Sequence, residues 1–91
     1  MKYRKKPVVI EAHVWDGDWE ELRNWADRAS DGAGTSIHYC EKNNTSYIYI
    51  RTLEGRVDAP VGNYVICGVN GEFYSCDPEI FNKSYELVEN E

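Results

Sequence analysis

No apolar run in this chain approaches the roughly 18 residues that a membrane-spanning helix needs, and too few apolar residues follow the charged start to make a secretory signal. The expectation is a cytoplasmic protein without a membrane partner. Cysteine is scarce and unpaired in pattern: Cys40, Cys67 and Cys76 are odd in number and show no CxxC spacing, which favours reduced thiols over a disulfide framework. Positive charge is in deficit, with ten Lys and Arg against sixteen Asp and Glu and a net charge of -6, so general nucleic-acid binding lacks the basic field it requires. Internal repeats and low-complexity tracts are missing as well.

Chemistry-bearing constellations are equally sparse. His38 and Cys40 would put two donors on one strand face, but no second pair at metal-site spacing accompanies them, so no metal and no cofactor are expected. A cysteine nucleophile needs a base and an orienting group, and nothing in the spacing of His13, His38 and the three thiols supplies them. Glu20 and Glu21 are adjacent on a helical segment and point apart. Gly68 and Gly71 lack the strand-to-helix setting of a phosphate loop and read as a turn. The sequence therefore predicts no catalytic residues and a protein that is not an enzyme.

What the chain does have is aromatic residues and turn signals. Three tryptophans and seven tyrosines are many for 91 residues, a length that makes one small domain with a modest core, to which a partner or a second copy would add burial. Residues 1–6 form a basic arm holding four of the ten cations, whereas eight acids from Glu54 onward face only Arg56 and Lys83. Such an arm is either solvated, laid across the acidic half, or an anion-binding element using Arg4 and Lys5. The interspersed acids make a DNA-mimicking surface the weaker reading.

In chain order, Pro7 to Trp15 reads as a strand in which Val8, Ile10, Ala12 and Val14 alternate with Val9, Glu11, His13 and Trp15. Asp18 followed by Glu21 resembles a capping box, and Leu22, Trp25, Ala26 and Ala29 recur at helical spacing, so a helix is expected over Trp19–Ala29 with Trp25 in the core. Ser30 to Ser36 is a loop. Ile37–Cys40, the turn Glu41–Asn44 and Tyr47–Leu53 form a hairpin, in which Ile48, Ile50 and Thr52 share one face and Tyr47, Tyr49, Arg51 and Leu53 the other.

Beyond it, Glu54-Gly55 and Pro60-Val61-Gly62 mark turns, and Asn70-Gly71 is the strongest signal for a two-residue type I′ hairpin. Asp77-Pro78-Glu79 starts a short helical turn, Tyr85–Val88 reads as a last edge strand, and residues 89–91 as a frayed tail. Together these predict a single α+β domain: a twisted, mostly antiparallel sheet of five to six strands, one main helix on one face and a short C-terminal helical turn.

The opening Lys2-Tyr3-Arg4-Lys5-Lys6-Pro7-Val8-Val9-Ile10-Glu11-Ala12, together with Thr52–Gly55, Val61–Ile66, Gly68–Tyr74 with Cys76, and Pro78–Glu86, resembles a family of small phage and prophage proteins. That family carries a KYRKKPVVIEA-like start, a TLEG turn, a GDYII-like strand, a GVNGEFYPC hairpin and a PDIF-like end. The resemblance covers about half of the chain and leaves out residues 13–46; Asn63 replaces the usual Asp, and Ser75 a common Pro. It implies a phage or prophage origin, hence a host cytoplasm, and no particular reaction.

The residues best suited to binding are Tyr47, Tyr49 and Arg51, whose alternation sends two phenols and a guanidinium to one side, with Trp15 and the Arg4–Lys5 arm as extensions. Three functions fit. The leading one is a non-enzymatic accessory protein that binds and blocks a host protein, in host takeover or against host defence. The second is a small-molecule binder that sequesters a nucleotide signal of host defence, and the third a minor virion structural or assembly component.

Overall fold

The computed structural model describes residues 1–4, 8–30 and 36–88. The chain reverses where Asn and Gly tolerate positive φ, and the described residues form six strands and two helices. In order they are β1 (Glu11–Val14), α1 (Trp19–Ala29), β2 (Ile37–Lys42), β3 (Thr45–Thr52), β4 (Gly55–Pro60), β5 (Tyr64–Cys67), β6 (Phe73–Cys76) and α2 (Pro78–Ser84). The fold is α+β, as expected. The strands do not form one continuous sheet; they make two three-stranded antiparallel sheets, ordered β1-β5-β6 and β2-β3-β4. The second is a simple meander, whereas the first brings β1 across the chain to β5.

Tight turns set the registers. Asn43 and Asn44, at φ 53° and 60°, make the two-residue reversal that pairs Lys42 with Thr45. Two positive φ values in succession are the type I′ requirement. Asn70-Gly71 was the expected place for that geometry, and there it is absent. The N–H of Gly71 donates to the Gly68 carbonyl at 3.0 Å, so Val69 and Asn70 are the central pair, and only Gly71 is left-handed, at φ 81°. The Gly68 N–H then donates to the Glu72 carbonyl at 2.8 Å, which completes a three-residue loop with a bulge.

Helix α1 keeps its expected bounds. The Asp18 carboxylate accepts from the Glu21 N–H at 3.1 Å, but the return bond of a capping box is not made. The Asp18 N–H donates to Asp16 at 3.0 Å, and the Glu21 carboxylate instead meets His13 Nε2 at 3.1 Å. Leu22 and Ala26 of α1 are buried and join Trp15, Ile37, Ile48, Ile50, Ala59, Val65, Cys67 and Phe73 in a core shared by both sheets.

At the edges of this core the expectations hold only in part. Trp25 does pack against the core, edge-on to Phe73 at 6.0 Å and tilted against His13 at 5.6 Å, but it is half-buried, and the fully buried tryptophan is Trp15. The first strand begins at Glu11, with Val8 and Val9 exposed, and Pro7 lies outside the described residues. Residues Tyr85–Val88 form no strand and are exposed, following α2 without pairing to the β6 edge. The short C-terminal turn is a seven-residue helix, capped by Asp77 accepting from the Glu79 N–H at 2.9 Å. The expected fraying of 89–91 concerns residues outside those described.

Candidate functional site

Ile48 and Ile50 are fully buried, and the period of two along β3 therefore turns Tyr47, Tyr49 and Arg51 away from the core. Antiparallel register adds their neighbours on the same face: His38 opposite Tyr49, Cys40 opposite Tyr47, Asp58 opposite Tyr49, Pro60 opposite Tyr47, and Arg56 opposite Arg51. This is the outer face of the meander. Tyr47 and Tyr49 are half-buried and Arg51 is exposed.

The centre of the face is ordered by Tyr49. The His38 ring stacks on it at 4.8 Å between centroids and 19° from parallel, and the Arg56 guanidinium lies 4.0 Å from its centroid. Since β2 and β4 flank β3 on opposite sides, His38 and Arg56 cover opposite faces of the same phenol. Arg56 Nε also donates to Asp58 at 2.8 Å and Nη2 to the Tyr47 hydroxyl at 3.5 Å. The hydrogen bond to Asp58 is the main cause that pushes the Arg56 guanidinium above its ordinary range. Arg51, by contrast, has no hydrogen-bond or ion-pair partner among the described residues. An open depression of ≈ 390 Å³ lies beside it, lined by Tyr49, Arg51, Thr52, Gly55 and Arg56.

Of the residues expected at a binding site, Tyr47, Tyr49 and Arg51 do share one face. Trp15 does not belong with them: its ring is fully buried in the core, edge-on to Tyr39 at 6.1 Å. Arg4 is exposed, and Lys5 lies outside the described residues. His38, Arg56 and Asp58 were missed as members of the face. Their signal was in the turns: a two-residue loop at Leu53-Glu54 fixes Thr52 opposite Gly55, and the register places Arg56 and Asp58 from there.

Elsewhere the titratable groups are engaged structurally. His13 Nδ1 lies 2.7 Å from the Val14 carbonyl oxygen and Nε2 3.1 Å from Glu21. Cys67 donates weakly to the Ala29 and Gly68 carbonyls, each at 3.7 Å, and burial pushes its thiol pKa up. Among the described residues no three His, Cys, Asp or Glu side chains converge as a metal site, and no helix is long and apolar enough to cross a membrane. Comparison with known proteins finds no matching family model, no matching curated protein and no matching solved structure.

Proposed function

We propose that this is a non-enzymatic phage or prophage accessory protein that binds and blocks a host protein through the outer face of β2, β3 and β4. The observation that carries the reading is the packing of Tyr49, stacked by His38 and contacted by the Arg56 guanidinium. Aromatic and Arg side chains dominate binding hot spots, and a group already fixed before association loses little entropy on binding. The resemblance of the opening segment and the C-terminal half to phage proteins supplies the setting. The supporting reading of the thiols and imidazoles is that each histidine, and Cys67, is taken up in packing or backbone bonds.

Sequestration of a nucleotide is the second reading, favoured by the two arginines beside the depression. It is the weaker one, because a base stacking on Tyr49 must first displace His38 or Arg56. The experiment is affinity capture from infected cells followed by native mass spectrometry, with the wild type and a Tyr49→Ala/Arg51→Ala double variant, each also scored for thermal unfolding. A single host protein held by the wild type and lost by a folded double variant is the expected result. Retention by the double variant removes the face from consideration. A nucleotide carried through purification, or high copy number in particles, would replace this reading with the binder or the virion component.

A further inference from the structure

Arg51 stands directly opposite Arg56 in the β3–β4 ladder, on the outer face. Like charges directly opposite one another destabilise an antiparallel pair, and this chain has sixteen carboxylates from which a complementary neighbour could have come. Arg56 escapes the repulsion by folding over Tyr49 onto Asp58. Arg51 is left at the rim of the ≈ 390 Å³ depression that both arginines line. The wider face repeats the imbalance: Lys42, Arg51 and Arg56 stand against the single carboxylate of Asp58, in a chain of net charge -6. Among the described residues nothing compensates Arg51, and a broken local rule is expected at functional sites.

We infer that the depression between Arg51 and Arg56 is an anion site, and that its occupant is one carboxylate, an Asp or Glu side chain of the protein partner. The inference rests on the docking face proposed above and names its complementary chemistry. A carboxylate matches the planar fork of Arg51 bidentately and draws on the second guanidinium for field. Thr52 adds no donor, since its hydroxyl donates to the Gly55 carbonyl at 2.8 Å while accepting the Glu54 N–H at 3.2 Å. Arg56 is already engaged with Asp58, which leaves one guanidinium for the ligand, and a singly charged two-oxygen carboxylate matches it more closely than a phosphate.

The test is a titration of the full-length protein followed by amide and arginine Nε resonances, at matched ionic strength. Three probes are used: an acetylated Gly-Glu-Tyr amide, its Gly-Gln-Tyr isostere and inorganic phosphate. The expected result is saturable movement of Arg51 Nε and the Gly55 amide with the acidic peptide alone. Arg51→Gln should weaken that binding by about tenfold, whereas Arg28→Gln on the exposed face of α1 leaves it unchanged. Equal affinity in Arg51→Gln, a merely linear response, or saturation by phosphate at lower concentration than by the peptide overturns the site. The variant's own spectrum reports whether it is folded. If the host partner is lost from the double variant while this titration is negative, the docking face stands and the carboxylate site falls. If the titration is positive while the double variant keeps its partner, the docking face falls instead.

Discussion

The rings of Tyr64 and Phe81 lie face to face, 3.9 Å between centroids and 6° from parallel, and this stack ties α2 to β5. Tyr85 extends the column at 5.1 Å from Phe81, yet no residue of α2 is buried. An aromatic pair contributes about 0.5–1.5 kcal/mol beyond its buried area, so α2 is held locally and weakly. Phe81→Ala should speed amide exchange across Pro78–Ser84 and open a tryptic cut after Lys83, with global stability reduced by only about 1 kcal/mol. If α2 exchanges as slowly in the variant as in the wild type, other contacts hold it.

Substitutions at neighbouring positions of β3 should separate cleanly into core and surface. Ile48→Ala removes a fully buried side chain and is expected to lower stability by about 2–5 kcal/mol. Arg51→Gln, three residues on and exposed, should leave the urea midpoint close to that of the wild type. A large loss in Arg51→Gln would assign the guanidinium a structural role and weaken the case for the outer face.

The reversals answer differently to substitution. Gly71→Val places a β-branched residue at φ 81° and should damage folding far more than Asn70→Asp, which sits in an ordinary turn position. Asn44→Gly should stabilise by about 0.5 kcal/mol, since glycine takes φ 60° without steric penalty and Asn-Gly is the preferred type I′ pair. Chemical denaturation of the three variants decides both points; equal midpoints for Gly71→Val and Asn70→Asp contradict the first.

Burial, and then the carboxylates of Glu11 and Glu72, push the Cys67 thiol above its ordinary pKa. In the unfolded chain the thiol loses its proton first as pH rises. The stability it contributes is therefore fully present below the ordinary thiol pKa and declines as pH climbs through the folded value. Between roughly pH 8 and pH 10 the wild type should lose stability more steeply than Cys67→Val, and Cys67 should alkylate more slowly than Cys40 or Cys76. Parallel pH slopes for the two proteins, or equal alkylation rates, contradict this.

Local signals carried much of the fold. The bounds of α1, the faces of β3 and the cap at Asp77 follow from spacing and turn chemistry, and the structure keeps them. What was illegible depends on distant partners. Asn-Gly at 70–71 prefers type I′, but the loop also had to seat Cys67 against Phe73, and a type I turn with left-handed Gly71 does so. Trp15 and Trp25 read alike as apolar bulk; only the pairing of β1 with β5 decides that Trp15 takes the centre. The candidate site was half legible for the same reason. Tyr47, Tyr49 and Arg51 follow from alternation within one strand, whereas His38, Arg56 and Asp58 join them through register.

The backbone of Trp15 donates to the Asn63 carbonyl at 2.8 Å and accepts from the Gly62 N–H at 2.7 Å, beyond the last paired residues of β1 and β5. The meander closes through short loops, while this clasp joins segments separated by about half of the chain. Loop closure over such a separation is entropically costly and slow relative to hairpin formation. The order of assembly follows: the β2-β3-β4 meander forms early, and the seating of Trp15 is the late event that completes the core. In a Trp19→Phe/Trp25→Phe background, stopped-flow fluorescence should report Trp15 burial as a phase slower than the appearance of strand signal. Coincident phases would mean that the clasp and the meander form together. A chain assembled in this order presents its outer face before its first strand has locked.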